Sequence, residues 1–209
     1  MIKAILFDID GVLVDSRRAN FLFYVDVFQK AGYSKPSFRD VAKYNYLTID
    51  NLIRQLAGIR DETEMARVYA IALKTKYAAK KQKVASGSKK VIAKLSKQYK
   101  LGVVSGRVKE GIEEYFKACN IKKYLSVCIG FEDYKHPKPS PKPLLIALKR
   151  LKVRPKETVY IGDADSDVKA ARATKVKVIA FPKKLKGADA HMTSFKHLPA
   201  LLRVLEAEE

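Results

Sequence analysis

The amino-acid sequence predicts an α/β protein in which a doubly wound parallel sheet is interrupted once by a helical insertion. Three observations predict this fold class. A short apolar run lies close to the amino terminus, residues 16 to about 84 show helical patterns without a convincing strand, and from about residue 87 short apolar runs alternate with helices. Strands and helices in alternation indicate a parallel sheet with helices on both faces.

The first predicted strand is the apolar run Ile5-Leu6-Phe7, which has the length and content of a buried strand. Apolar positions at helical spacing then predict helices from residue 16, with further helices near 48–57 and 62–80. Later segments predict strands over 101–104, 125–129, 159–161 and 178–181 and helices near 88–98, 109–119, 141–151 and 166–173. Because the first strand must join the same sheet, we predict a core domain from residues 1–15 and 85–209 and an all-helical insertion over 16–84.

The size and composition are typical of a globular protein. With 209 residues, of which 47% are hydrophobic and 31% charged, the chain can bury a substantial core. No stretch approaches the roughly 20 uninterrupted apolar residues of a membrane helix, and acids stand where a signal peptide would carry its apolar region. We therefore expect a cytoplasmic location. The two cysteines are too few for a disulfide scaffold or a cysteine-only zinc site.

The chain is strongly basic, with 42 lysines and arginines against 22 acidic residues and a formal net charge of +20. Such a charge attracts anions to the surface but does not say which anion. We expect a small phosphorylated metabolite as partner and no membrane. Nucleic acid is a weaker alternative, because the lysines are scattered without interleaved aromatic residues. The oligomeric state is left open between a monomer and a homodimer.

Two carboxylates follow the first predicted strand, since Asp8 and Asp10 stand two positions apart and Gly11 comes next. Side chains two apart on extended backbone point the same way, so both acids would face one site. Crowded carboxylates cannot both ionise cheaply, so either a cation holds them or one keeps a proton, and either outcome serves catalysis. Asp-x-Asp-Gly also occurs in calcium loops and ordinary turns, and the motif alone leaves these interpretations open.

Polar residues also follow later predicted strands. Ser105-Gly106-Arg107 closes the second strand, and the fourth ends in residues 162–167, with the sequence GDADSD. A proline-rich loop at 136–143, with the sequence HPKPSPKP, follows the third strand and would hold a lysine stiffly. In an open parallel sheet, ligands bind beyond the carboxyl ends of the strands. We therefore expect the carboxylates, the hydroxyl and a lysine to converge on one site.

These motifs occur in the order of a known family. The chain carries DxDGVLxDS at 8–16, a serine closing the second strand at Ser105, KPxPxP at 138–143 and GDxxxD at 162–167. In this it resembles hydrolases of the haloacid dehalogenase (HAD) superfamily, of the subfamily I group with a helical cap inserted after the first motif. Phosphoglycolate phosphatases are the nearest functional analogy. The resemblance implies a Rossmann-like core with residues 16–84 as a cap domain that closes over the substrate.

The resemblance also implies a magnesium-dependent phosphatase that acts on small phosphomonoesters through an aspartyl-phosphate intermediate. Asp8 would be the nucleophile. Asp10 would start protonated, protonate the leaving oxygen and then take a proton from water. Mg²⁺ would bind Asp8, the main-chain carbonyl of Asp10, and Asp163, because an oxygen-only site beside a phosphate suits that ion.

For the remaining motif residues the resemblance implies binding and positioning roles. Ser105 and the backbone N–H of Gly106 would hold phosphate oxygens, while Lys138 would neutralise charge on the transferring group. Arg107 is a candidate for contacting the substrate. Asp167 would orient a metal-bound water or Lys138.

Three of these assignments have alternatives. Ser105-Gly106 is also compatible with a simple strand-ending turn, and Arg107 with a solvent-exposed role. Lys138 is chosen because it starts the family's KPxP pattern, but Lys135 and Lys142 flank it, and the family often has an acid where Lys142 stands.

Other activities share part of this residue set. A mutase or phosphotransferase of the β-phosphoglucomutase type shares all of it, so only the cap could separate the two. A dehalogenase fits less well, because that chemistry needs neither Asp10 nor a metal held by Asp163. The basic charge suggests a different class, a nucleic-acid-binding protein or a phosphatase that processes polynucleotide ends.

Overall fold

A computed structural model of the chain describes residues 1–44, 47–78 and 81–207. The chain divides into two compact units, one formed by Met1–Val14 with Val84–Glu209 and the other by Asp15–Lys83. All of the predicted site residues belong to the first unit.

The described residues form strands and helices in the following order along the chain. The strands are β1 (Ala4–Phe7), β2 (Val14–Asp15), β3 (Lys83–Val84), β4 (Lys100–Val104), β5 (Val127–Ile129), β6 (Thr158–Gly162), β7 (Lys177–Ala180) and β8 (Ala190–His191). The helices are α1 (Arg17–Ala31), α2 (Phe38–Tyr44), α3 (Ile49–Ala57), α4 (Glu62–Lys74), α5 (Ser88–Leu95), α6 (Lys109–Cys119), α7 (Lys142–Leu151), α8 (Asp165–Thr174) and α9 (Leu198–Ala207).

A parallel sheet lies at the centre of the first unit, with the strand order β5-β4-β1-β6-β7-β8. The two short strands β2 and β3 pair with each other instead. Strand β1 occupies an inner position between β4 and β6, and its four residues have no exposed surface. An entirely apolar strand is stable there because both of its faces are covered.

Side chains alternate across the sheet, and each face has its own apolar core. Ile5 and Phe7 of β1 join a cluster with residues of α5, α6 and α9. Ala4 and Leu6 join a cluster on the other face with residues of α7 and α8. The sheet is therefore a rigid platform for whatever follows the ends of its strands.

The second unit has an apolar core of its own, formed by α1 to α4. Val27 and Phe28 of α1, Ile53 of α3 and Val68 of α4 are among its buried residues. In α1 the buried positions recur at helical spacing, which is the pattern that predicted helices in this segment.

The predicted fold class is confirmed: helices cover both faces of a Rossmann-like parallel sheet. Two predicted helix ends are wrong, because α5 ends at Leu95 and not at residue 98, and α4 ends at Lys74 and not at residue 80. Thr75 leaves the helix in extended backbone, and its hydroxyl donates to the Ile71 carbonyl at 2.8 Å. Residues 79 and 80 of that prediction lie outside the described residues. The strands β2, β3 and β8 were not predicted, since two residues are too few to produce an alternating pattern.

Across the described parts of the chain, every helix is too short or too polar to cross a membrane.

Candidate active site

The carboxyl ends of three neighbouring strands lie at one edge of the sheet. The register pairs the last residue of β1 with Val103 of β4 and Ile161 of β6. Asp8 follows β1, Ser105 follows β4, and Asp163 follows β6. The parallel pairing therefore places these three polar residues together at the edge where open sheets bind ligands.

Asp8 is buried directly after β1. Its Oδ1 accepts a hydrogen bond from the Ile9 N–H at 2.8 Å, and its Oδ2 lies 3.2 Å from Lys138 Nζ. Burial raises the pKa of Asp8 well above its usual value; the charge of Lys138 opposes the rise, while the carboxylates of Asp167 and Asp163 add to it. A cation close to Asp8 would favour its ionised form.

Lys138 extends from the proline-rich loop into the same site. Its Nζ lies 2.6 Å from Asp167 Oδ1 and donates to the Tyr160 hydroxyl at 2.9 Å. Burial lowers the pKa of Lys138, but the charges of Asp167 and Asp8 outweigh it, so the pKa lies well above its usual value. Lys138 therefore keeps its positive charge at neutral pH.

The structure distinguishes Lys138 from its neighbours in the loop. Lys135 and Lys142 are exposed. The Lys138 side chain is only 10% exposed and contacts Asp8. Of these three lysines, Lys138 is the one that the fold places against a site carboxylate.

Asp167, in the first turn of α8, is fixed by four donors. Its Oδ2 accepts hydrogen bonds from the N–H groups of Asp163 and Ala164 at 3.0 and 3.1 Å. Its Oδ1 accepts from Lys138 at 2.6 Å and from the Tyr160 hydroxyl at 2.9 Å. Both oxygens are therefore engaged, and the carboxylate anchors Lys138 instead of facing a ligand.

Tyr160 is a site residue that sequence reasoning missed. It lies in the middle of β6 with no exposed surface, and burial raises the pKa of its phenol well above the usual value. The phenol accepts from Lys138 and donates to Asp167, so it joins the two charged groups. One feature of the sequence could have indicated this role. Tyr160 stands between the apolar residues Val159 and Ile161 in a predicted buried strand, and a buried hydroxyl needs a hydrogen-bond partner.

Asp163 is half-buried after β6 and lies against Gly11. A side chain at position 11 would overlap the Asp163 carboxylate, and the φ of +77° at Gly11 is left-handed. Both space and backbone conformation therefore require glycine there. Burial raises the pKa of Asp163 to about 7; the negative charge of Asp167 adds to the rise, and Lys138 opposes it.

Three carboxylates lie close enough to share a cation, because Asp8, Asp163 and Asp167 each offer an oxygen within 4.8 Å of the others. The Asp167 oxygens already accept four hydrogen bonds, which leaves Asp8 and Asp163 as the carboxylates that face a ligand. Both have raised pKa values, so ionising them together is unfavourable without a counter-charge. An oxygen-only donor set of this kind suits a hard divalent cation such as Mg²⁺.

Ser105 and Gly106 form a turn after β4. The Ser105 Oγ accepts a hydrogen bond from the Arg107 N–H at 3.2 Å, and the Ser105 carbonyl accepts one from the Tyr134 hydroxyl at 3.0 Å. A Cβ at Gly106 would meet no atom within 4 Å. The turn is therefore held in place by its neighbours and leaves open space at Gly106.

Asp10 and Arg107 form an ion pair in this site. Arg107 Nε donates to Asp10 Oδ2 at 2.7 Å, and Arg107 Nη2 donates to Asp10 Oδ1 at 2.6 Å. Both Asp10 oxygens act as acceptors here, which is the role of an ionised carboxylate. The expectation that Asp10 starts with a proton therefore does not match this arrangement. The physical reason is the contact with Arg107, 97 residues along the chain, which stabilises the ionised carboxylate.

Comparison with known proteins places this site in a family. A sequence model described as haloacid dehalogenase-like hydrolase matches residues 5–181. The chain belongs to the haloacid dehalogenase-like hydrolase family. The match includes Asp8, Asp10, Ser105, Lys138 and Asp163 within its span.

Relatives of this HAD-like hydrolase match it over nearly the whole chain. A pyrophosphatase PpaX from Bacillus mycoides is 25% identical over 209 residues, covering 93% of this chain and 90% of its own. A candidate phosphoglycolate phosphatase structure from Lactobacillus plantarum has a TM-score of 0.83 at 21% identity, covering 96% of this chain and 99% of its own. A subfamily IA HAD hydrolase structure from Geobacter sulfurreducens has a TM-score of 0.78 at 23% identity and covers 96% of both chains. The two structures share the fold of this chain.

In this HAD-like hydrolase six site residues, five of them predicted and the sixth Tyr160, form two contact groups. We call the first, formed by Asp8, Lys138, Asp167 and Tyr160, the lysine cluster. We call the second, formed by Asp10 and Arg107, the arginine pair. The remaining predicted residues lie next to them: Asp163 donates its N–H to Asp167, and Ser105 accepts from the backbone of Arg107.

Proposed function

We propose that this chain is a magnesium-dependent phosphatase that hydrolyses small phosphomonoesters through an aspartyl-phosphate on Asp8. The observation that carries the proposal is the Asp8 carboxylate, buried at the end of β1, 3.2 Å from Lys138 and close to Asp163. Carboxylates can act as nucleophiles that form covalent intermediates, and phosphoryl transfer needs positive charge around the transferring phosphoryl group.

The first step forms a bond between an Asp8 oxygen and phosphorus. A carboxylate oxygen of Asp8 attacks the phosphorus, and the bond between phosphorus and the leaving oxygen breaks. Lys138 is held cationic beside Asp8 and neutralises charge that develops on the transferring group. Ser105 and the backbone N–H of Gly106 donate to phosphoryl oxygens, and the open space at Gly106 lets the phosphate approach the turn.

The second step removes the phosphoryl group. A water molecule attacks the phosphorus, the bond to the Asp8 oxygen breaks, and Asp10 takes the proton that the water loses. Asp10 suits this role because its carboxylate is an acceptor and is 28% exposed, whereas Asp8 is buried. For the first step Asp10 must acquire a proton for the leaving group, and its contacts to Arg107 must change before that transfer.

The magnesium part of the proposal is supported by the donor set. The carboxylates of Asp8 and Asp163 would hold the ion together with the main-chain carbonyl of Asp10. When bound, Mg²⁺ supplies positive charge that neutralises the repulsion between the carboxylates and an incoming phosphate. Burial and neighbouring carboxylates raise the pKa of both Asp8 and Asp163, and a divalent cation bound between them would stabilise their ionised forms.

The relatives suggest two substrate types. The Bacillus mycoides relative is named a pyrophosphatase, and the Lactobacillus plantarum structure is named for phosphoglycolate. We propose a small phosphorylated metabolite as the substrate, with pyrophosphate as the second candidate. A phosphotransferase would instead move the phosphoryl group to an acceptor alcohol and release no free phosphate.

The test is a screen of phosphorylated metabolites and pyrophosphate with Mg²⁺, using free phosphate as the readout. We expect the wild type to release phosphate and Asp8→Asn to lose at least about 10³-fold in kcat. The variant should keep its fold, because it removes a buried charge without changing shape, and circular dichroism checks this. Full activity in Asp8→Asn would contradict the nucleophile assignment, and unchanged activity after chelation would contradict the metal assignment.

A further inference from the structure

The arginine pair is the part of the site that the proposed reaction leaves unexplained. Two hydrogen bonds, of 2.7 and 2.6 Å, engage both oxygens of Asp10 with the guanidinium of Arg107. While they persist, Asp10 cannot serve the leaving oxygen or the attacking water. The proposed reaction therefore requires that this ion pair opens during turnover.

The backbone of Arg107 is fixed, while the pair that its side chain forms with Asp10 can be reached from solution on the Asp10 side. Its N–H donates to Ser105 Oγ at 3.2 Å, and its carbonyl accepts from the Phe131 N–H at 2.8 Å. The side chains of Arg107 and Asp10 are 14% and 28% exposed. A dissolved anion can therefore approach the pair without unfolding the loop.

The chemistry of the guanidinium defines what can replace Asp10. Arginine binds a carboxylate or a phosphate through the same two-pronged geometry, so exchanging one anion for another keeps the hydrogen bonds. Asp10 is the group assigned to the leaving oxygen. The guanidinium therefore contacts the residue assigned to the leaving oxygen, while Ser105 and Gly106 of the same turn are assigned to the phosphoryl oxygens.

We propose that Arg107 selects substrates whose leaving group carries a second anionic group, either a phosphate or a carboxylate. That anion takes the guanidinium away from Asp10, which leaves Asp10 free to take a proton from solvent and pass it to the leaving oxygen. A substrate with a neutral leaving group leaves the pair closed and is turned over more slowly. This inference rests on the proposed function, because it takes Asp10 as the proton carrier.

The kinetic test compares three substrates with Mg²⁺. Pyrophosphate and 2-phosphoglycolate have an anionic leaving group, and β-glycerophosphate has a neutral one. We expect Arg107→Met to lose at least about tenfold more kcat/KM on an anionic-leaving-group substrate than on β-glycerophosphate. Arg107→Lys should restore part of the lost kcat/KM on the anionic-leaving-group substrates. Lysine keeps the positive charge but lacks the two-pronged hydrogen-bond geometry of the guanidinium. A loss confined to pyrophosphate assigns a phosphate as the second anion, and a loss confined to 2-phosphoglycolate assigns a carboxylate.

Arg150→Met is the matched control, since Arg150 forms an ion pair with Asp133 at 2.7 Å in the same unit. It should leave the ratio of kcat/KM values between substrates as in the wild type. Equal losses of Arg107→Met on all three substrates, or no loss on any, would overturn the inference.

A binding measurement separates this inference from the proposed catalysis. Calorimetry in the Asp8→Asn background, with Mg²⁺, measures the affinity for pyrophosphate and for inorganic phosphate without turnover. Adding Arg107→Met should lower the affinity for pyrophosphate at least about tenfold and the affinity for inorganic phosphate less than about threefold. Equal weakening of both ligands by Arg107→Met, or no weakening of either, would overturn the inference. A wild type that releases no phosphate in the screen would instead contradict the proposed function.

Discussion

The lysine cluster and the arginine pair both bring a cation to a carboxylate, but they differ in the burial of that carboxylate. The side chain of Asp167 is 1% exposed and that of Asp10 is 28% exposed. Asp167 is held by four donors from three segments of the first unit. Asp10 is held by a guanidinium whose side chain is 14% exposed, so the carboxylate is the more accessible member of this pair. The first arrangement fixes a charge, and the second can exchange one anion for another.

Solvation explains why this difference matters. Breaking a buried ion pair leaves a charge without water or partner, which costs several kcal/mol. Breaking an exposed pair costs about 1 kcal/mol or less, because water replaces the lost contact. A charge that must stay in place during phosphoryl transfer is therefore expected in the lysine cluster, and one that must move is expected in the arginine pair.

The largest expected effect is that of Lys138→Met. It leaves Asp8 and Asp167 buried without their cation, so we expect the free energy of unfolding to fall by about 3–5 kcal/mol. We expect kcat/KM to fall by about 10²–10³-fold as well. Urea denaturation and phosphate release measure the two effects, with the exposed Lys142→Met as the matched control. A Lys138→Met protein as stable and active as that control would show that the cluster is not a fixed charge.

The second prediction concerns Asp163, whose pKa is raised by burial to about 7. An unfolded aspartate has a pKa of about 4. Between these values the folded state holds a proton that the unfolded state releases, so raising the pH through this window lowers the stability. Without divalent cations, Asp163→Asn should therefore be more stable than the wild type at pH 8, by about 1–3 kcal/mol.

This advantage of Asp163→Asn should shrink as the pH falls from 7 to about 4, and below about pH 4 both states of the wild type become protonated. Thermal unfolding across pH, in a chelating buffer, measures it. Adding Mg²⁺ should raise the Tm of the wild type and not that of the variant. A variant that is less stable than the wild type at every pH would contradict the pKa assignment.

The third prediction concerns the phenol that joins the lysine cluster. Tyr160→Phe removes a hydrogen-bond partner of Lys138 and of Asp167, so we expect a stability loss of about 1–2 kcal/mol and a roughly tenfold fall in kcat. Tyr115→Phe is the control, because its buried hydroxyl donates to the Leu13 carbonyl at 3.2 Å. The control should lose stability and keep its kcat. Equal kcat values for both variants would assign Tyr160 a purely structural role.

The smallest effect on stability is expected at the arginine pair. Arg107→Met should lower the free energy of unfolding by about 1 kcal/mol, less than Lys138→Met, because the partner Asp10 is 28% exposed and water can solvate it. Chemical denaturation next to Lys138→Met gives the comparison directly. A loss as large as that of Lys138→Met would show that the arginine pair is a structural element and cannot exchange its anion.

The sequence predicted most of the fold because periodicity is a local property. Helix α6 begins at Lys109 and ends at Cys119, as predicted from its apolar spacing. Where an element depends on tertiary contacts, the prediction failed. Strand β8 has two residues, Ala190 and His191, and exists because it pairs with β7.

The sequence also predicted which residues share the edge of the sheet, because strand order and motif spacing determine that. It could not predict how they pair. Arg107 and Asp10 are 97 residues apart, and Lys138 and Tyr160 are 22 apart, so neither contact leaves a periodic signal. The sequence likewise could not distinguish Lys138 from Lys135 and Lys142, because the difference between these lysines is their burial in the fold.

The covalent step on Asp8 can be tested by trapping. The wild type is mixed with substrate and Mg²⁺ and quenched in acid during turnover. Borohydride then reduces any acyl phosphate to the alcohol, and mass spectrometry of the peptide that contains Asp8 identifies the product. We expect homoserine at position 8, only when substrate was present. Turnover that leaves Asp8 unmodified, with the reduced residue at another position, would contradict a covalent phosphoryl-enzyme on Asp8.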